Sequence, residues 1–177
     1  VESEYGLGIT KLWGIENGGS YGYYVNNVSA WNLTDPVKDG DHVAAFSYSD
    51  LTSWSDMYTF FDQTALTVKK GESVTLTLSG AGFDEEWNPV TVAVSGADVT
   101  LNGEKAGTTD EEGRITLSPK AGTYTVSAIS KEKTLVPPAM ILTVKPVFPT
   151  ALIIGIVLFI ALAVVLAVLM KKNRHAS

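Results

Sequence analysis

Ala151 to Met170 is a run of twenty residues with no charge and no side chain that needs a hydrogen-bond partner. As a helix it spans about 30 Å, the thickness of a bilayer's hydrocarbon core. A core helix of a soluble domain is usually shorter and keeps a polar face, so the run predicts one transmembrane helix over residues 146–170, with the lipid bilayer as its surroundings. Lys171, Lys172 and Arg174 follow at once. The excess of positive charge on cytoplasmic flanks makes 171–177 a basic cytoplasmic tail and places the N-terminal domains extracellularly.

About 145 residues remain outside the span, enough for one ordinary domain or two small ones. Their charge is uneven: residues 1–62 carry −7, residues 63–145 carry −2, and the tail carries +3. An acidic ectodomain is repelled by phosphate backbones, so nucleic acid is an improbable partner. There is no cysteine, which removes disulfide scaffolds and cysteine-ligated metal centres and leaves packing to stabilise the fold. Val1 and Glu2 do not begin a basic-then-apolar leader, so a processed or truncated form of an exported protein is expected. Pro146 to Thr150 stands where a wall-sorting signal would lie, which points to membrane anchoring.

Two textures divide the ectodomain. Twelve of the seventeen aromatic residues fall within residues 1–62, among turn signals at Gly18-Gly19, Asn26-Asn27 and Asp39-Gly40-Asp41. Short strands are predicted near Ile9 to Trp13, Tyr21 to Val25, Val43 to Tyr48 and Met57 to Phe61. From Ala65 strict alternation takes over: Val74, Leu76 and Leu78 share one face of a strand, and Thr75, Thr77 and Ser79 the other. The pattern returns at Val90 to Val94, Val99 to Leu101, Ile115 to Leu117, Tyr124 to Ala128 and Met140 to Val144, with Asn102-Gly103 a strong type I′ hairpin signal. Roughly seven short strands at this spacing predict an antiparallel β-sandwich over residues 63–145. Pro137, Pro138, Pro146 and Pro149 bracket its last strand and stiffen the approach to the membrane.

Residues 66 to 145, through Gly107–Leu117 with its T-D-x-x-G turn and Ala121–Ala128 with its G-x-Y-x-V-x-A strand, resemble the immunoglobulin-like or prealbumin-like sandwich repeats of bacterial surface proteins. Such modules usually act as spacers. Residues 5 to 50 are similar to the later part of the transcobalamin-like β-grasp module of bacterial surface proteins. The similarity runs through Tyr5–Ile15, Tyr23–Asn27 and Val37–Val43, where Val37 replaces the usual leucine. The module's first hairpin and helix would precede Tyr5. The predicted fold is therefore mostly β: a β-grasp-like aromatic module over 1–62, truncated at its start, a sandwich over 63–145 and one C-terminal transmembrane helix.

The β-grasp resemblance implies a single-pass cell-surface binding protein that captures a cobalamin-type or other tetrapyrrole ligand for a transporter. Trp13, Tyr23, Tyr24, Asn26 and Trp31 are the candidate contact residues for such a ligand. Aromatic faces suit a macrocycle because they offer large apolar area; the alternative use of the same side chains is a small β core with cross-strand pairs. Tyr23 and Tyr24 are adjacent, so in a strand at most one can belong to that core. The competing function is a structural or protein-interaction subunit that docks another membrane or surface protein, through an open sheet edge or close helix packing at Ala163 and Ala167.

Asp39, Asp41 and His42 read as a tight turn rather than a cation site, since calcium needs six to eight oxygens. Catalysis has little support: His42 is the sole histidine outside the tail, and no glycine-flanked serine elbow is present, so no enzyme is expected.

Overall fold

The computed structural model describes residues 2–3, 6–16, 18, 20–30, 32–147, 159–160 and 162–164. The strands of the N-terminal part are β1 (Glu2–Ser3), β2 (Gly6–Leu7), β3 (Tyr21–Val25), β4 (Val28–Ser29), β5 (Val43–Ser47) and β6 (Met57–Phe61). They continue as β7 (Ala65–Lys69), β8 (Val74–Phe83), β9 (Pro89–Ala93), β10 (Asp98–Leu101) and β11 (Glu104–Thr108). The last four are β12 (Arg114–Leu117), β13 (Gly122–Ile129), β14 (Leu135–Val136) and β15 (Met140–Lys145).

Two sheets face each other across the main core: β11-β10-β13-β15-β7, and β12-β8-β6-β14 with β9 added to β8. Alternation decides which residues fill it. Val74, Leu76 and Leu78 of β8 meet Val99, Val126, Ala128, Met140, Leu142 and Val144 from the opposite sheet, and Leu76, Leu78 and Leu142 are wholly buried. Each such leucine contributes roughly 2 kcal/mol by leaving water. The alternate residues face out, where Thr75 and Thr116 stand opposite each other with hydroxyls 3.0 Å apart. The β-sandwich expected from the sequence is thus present.

Its pairing is not wholly antiparallel. β7 runs parallel to β15, from Ala65 beside Ile141 to Lys69 beside Lys145, and β14 runs parallel to β6. Long connections separate both pairs in sequence, which is what parallel neighbours require. At Val90 to Val92 alternation also misleads. β9 pairs only with the far half of β8, from Ser79 to Phe83, so its side chains overhang the core and Val92 stays exposed.

A separate three-stranded sheet, β4-β3-β5, carries the aromatic stretch. The expected strand at Ile9 to Trp13 is instead a tight two-residue turn. Leu12 and Ile15 exchange backbone hydrogen bonds of 3.0 and 2.9 Å around Trp13 and Gly14, both with positive φ. β6 lies just before the expected division at residues 62 and 63, yet it hydrogen-bonds to β8 through Thr59 opposite Gly80 and Phe61 opposite Leu78. It is shared between the two parts.

Among the described residues no helix is long and apolar enough to cross a membrane. The transmembrane helix expected over 146–170 lies mostly outside the described residues, as does the tail 171–177; within the span, residues 159–160 and 162–164 are helical, with Phe159, Ile160, Leu162 and Val164 exposed.

Gly113 marks where the edge partner of β8 changes from β12 to β9. Its φ is +74°, and a Cβ there would stand 2.5 Å from the Leu78 carbonyl oxygen. That carbonyl accepts the Val94 amide at 3.1 Å, while the Leu78 amide donates to the Gly113 carbonyl at 2.8 Å. Gly113→Ala is expected to cost about 2–3 kcal/mol, measured as a lower urea midpoint, with the far-ultraviolet spectrum of the folded state unchanged.

Candidate functional site

Strand β3 builds the centre of the aromatic part. Its residues alternate between half-buried (Tyr21, Tyr23, Val25) and buried (Gly22, Tyr24). Tyr23 and Tyr24 therefore face opposite ways, and Tyr24 is the one that enters a core. Gly22 lies opposite Phe46 of β5, whose ring occupies the space a Cβ would need. Glycine here lets an aromatic ring cover the backbone of its neighbour.

Tyr24 stacks on Tyr58 of β6 with ring centroids 4.0 Å apart and an interplanar angle of 17°. Phe46 lies 6.0 and 6.1 Å from the two rings, and Tyr48 meets Phe46 edge-on at 4.9 Å. The Tyr58 hydroxyl donates to Asn27 Oδ1 at 3.0 Å, tying the β3–β4 turn to the sandwich. Burial, then repulsion from the Tyr48 and Tyr58 phenolates, pushes the Tyr24 hydroxyl up to about 12; it also donates a hydrogen bond to Tyr48. Tyr48 and Tyr58 are raised too, both chiefly by burial.

Acidic side chains hold the loops around this stack. Buried Asp56 accepts hydrogen bonds from the Ser49 amide and, at 2.9 Å, from its hydroxyl. Asp50 accepts from the Ser53 and Ser55 hydroxyls and from the Thr52 and Ser53 amides, which hold its carboxyl far below the usual range. The loop so tied presents Trp54, with φ of 50° and 60% exposure. Trp13 is presented in the same manner on its turn, with φ of 49° and 77% exposure.

A cleft of about 340 Å³ opens between β5 and the sandwich edge, lined by Trp13, His42, Phe46, Tyr58, Phe60, Val136, Pro137 and Pro138 among others. A second hollow of about 220 Å³ lies along Leu7, Tyr21, Tyr23, Tyr24, Ser29 and Tyr48. Of the five residues expected to contact a ligand, Trp13 borders the first space, and Tyr23 and Tyr24 border the second. Asn26 serves a turn: its amide nitrogen donates to Asp41 Oδ1 at 2.8 Å and its side-chain oxygen accepts the His42 amide at 3.0 Å. Trp31 lies outside the described residues.

Asp41 also accepts the Lys38 amide at 2.7 Å, and the Asn26 bond followed by this one lowers its carboxyl below the ordinary value. Among the described residues no group of three or more histidine, aspartate or glutamate side chains is placed to hold a metal ion. Sequence reasoning missed Phe46, Tyr58 and Val136 as neighbours. They come from strands far apart in the chain, and Gly22 inside an aromatic strand was the one local sign of a ring packed across it.

No protein-family model matches the chain, and no curated protein matches it. Among solved structures, a crystal structure of the N-terminal four Ig domains of Dscam1 isoform 9.44 is similar at 14% identity with a TM-score of 0.29. The match covers 51% of this chain and 21% of that one, so the chain spans about a fifth of that structure's length. A likeness this low carries no argument about function.

The tyrosine stack makes stability depend on alkaline pH. Tyr24 titrates near 12 in the fold, above the 10.0 of a free tyrosine, so its contribution is complete below pH 10 and is lost as pH rises towards 12. Denaturation midpoints are expected to fall across that window, and Tyr24→Phe is expected to flatten the fall while tyrosinate absorbance loses its latest-titrating component.

Proposed function

We propose that this protein is a single-pass, cell-surface interaction subunit whose aromatic N-terminal part docks another exported protein. The observation that carries the proposal is the surface of residues 7–54. Leu7, Trp13, Ile15, Val28, Val37, Val43, Leu51 and Trp54 are each at least 45% exposed. Apolar side chains in such number on so short a stretch are what protein interfaces use, and tryptophan is the residue most often responsible for their affinity. Among the described residues β4 and β5 are the outer strands of the three-stranded sheet, and strand pairing at such an outer strand is a second way for a partner to dock.

Membrane anchoring rests on the twenty-residue apolar run, and the exposed helical side chains at Phe159, Ile160, Leu162 and Val164 support it, since in water they lack cover. The basic tail orients the anchor with the interaction surface outside.

A second reading is favoured by the position of Trp13 over the 340 Å³ cleft: capture of a small flat ligand, with a cobalamin-type tetrapyrrole the first choice from the β-grasp resemblance of residues 5 to 50. That volume is near the lower limit for small-molecule sites, so one edge of a macrocycle would enter and the rest would stay in solvent.

A photo-crosslinking residue at position 13 or 54 of the full-length protein in its native membrane is expected to capture one discrete partner, whereas the same residue at position 75, on the outer sandwich face, captures none. Trp13→Ala with Trp54→Ala should reduce recovery of that partner by about thirtyfold or more. Equal capture at all three positions would sink the interaction reading. A saturable tryptophan quench by haem or cobalamin, removed by Trp13→Ala in the purified chain, would establish the ligand-binding one instead.

A further inference from the structure

Four lysines meet at one end of the sandwich. Lys69 and Lys145 are partners on the parallel strands β7 and β15, and the Lys70 amide donates to the Lys145 carbonyl at 2.8 Å. Gly122 stands opposite Val144, one residue before that level, and Lys120 lies two residues further towards the same end. The Tyr124 hydroxyl donates to the Lys120 carbonyl at 3.0 Å and so ties the loop that carries this lysine. All four lysines are exposed, and none takes part in an ion pair among the described residues.

The acidic side chains lie elsewhere. Among the described residues Glu72 is the carboxylate in the turn at this end, and its Oε2 turns back to accept the Lys69 amide at 2.8 Å, while Asp62, whose amide donates to the Thr77 carbonyl at 3.0 Å, is three residues along β8 from Val74. Glu104 pairs through Leu101 and Val126 at the level of Met140, five residues along β15 from Lys145 and therefore about 17 Å away. Asp84, Glu85 and Glu86 sit in the β8–β9 hairpin, at the opposite end of β8. The module is polarised along its strands, with positive charge where β15 leaves.

Five residues, or six Cα steps, separate Lys145 from Ala151, where the apolar run begins. Even fully extended they reach about 20 Å. The lysine-bearing end is thereby confined to the neighbourhood of the bilayer surface, near enough for charge to act within a Debye length of about 8 Å when the module settles.

Resting on the membrane anchorage proposed above, we infer that Lys69, Lys70, Lys120 and Lys145 contact anionic phospholipid headgroups, setting the sandwich upright with its acidic hairpin directed away. Lysine suits this role because its ammonium is a compact charge on a long flexible stem, which reaches headgroups without moving the strand. Orientation would then be set by charge as well as by the proline-stiffened connection.

The full chain is reconstituted in nanodiscs of phosphatidylcholine alone or mixed with phosphatidylglycerol, and amide hydrogen exchange is followed at residues 69–73 and 118–122. The expected result is incorporation into both, with exchange at these two turns slowed about fivefold or more in anionic discs only. Raising the salt concentration should abolish the slowing, as should combined Lys69→Gln, Lys70→Gln and Lys120→Gln; the salt titration reports on the native chain should the variant not fold. Incorporation with equal exchange in both lipids would overturn the headgroup contact and leave the anchor standing. A chain that enters neither kind of disc would overturn the anchor, and this inference with it.

Discussion

Strand β6 has no solvent face. Met57 and Phe61 pack into or against the main core, Thr59 donates its hydroxyl to the Val136 carbonyl at 2.6 Å, and the intervening Tyr58 and Phe60 enter the aromatic cluster with Tyr24 and Phe46. Five residues thus join two cores that would otherwise be separate. The cluster is small, with three buried rings at its centre, and a sheet of three short strands is marginal without such support. Its stability is borrowed from the sandwich through Tyr58, which both stacks on Tyr24 and grips the Asn26-Asn27 turn.

The joined structure controls what stays outside. Trp13, Trp54 and Trp87 all have positive φ and are all more than half exposed. A bulky residue seldom adopts that conformation, and it persists where surrounding hydrogen bonds over-determine the turn. The Leu12–Ile15 bridge and the Asp50 carboxylate supply those bonds for the first two. Asp84 does the same for the third, accepting the Asn88 amide at 2.7 Å. Rigid turns bearing exposed aromatic rings suit binding because little side-chain entropy remains to be lost.

Charge follows the same axis. Carboxylates fold the distal turns and lysines crowd the end where the chain leaves for its apolar segment, so the two proposals concern opposite ends of one molecule. On these readings a partner would meet aromatic side chains on the N-terminal part, while the lysines would face lipid.

Local pattern alone settled the strands whose two faces have fixed, different surroundings. Val74 to Leu78, Ile115 to Leu117 and Met140 to Val144 alternate because one face meets the core and the other water, and the Asn102-Gly103 hairpin follows from the two positive φ values it needs. Period two reports burial but not partners. It could not reveal that β7 lies parallel to β15, that β9 overhangs the core, or that β6 is buried on both faces. The candidate site was less legible for the same reason. Tyr24, Phe46, Tyr58 and Val136 become neighbours only once distant strands pair, and Asn26 is occupied by Asp41 and His42 only once β3 and β5 align. Composition and spacing determined the strands of the sandwich core and which of their residues seek burial, though not the turn at Leu12 to Ile15; the tertiary structure decided which faces meet, because side-chain contacts between distant strands leave no periodic trace in the chain.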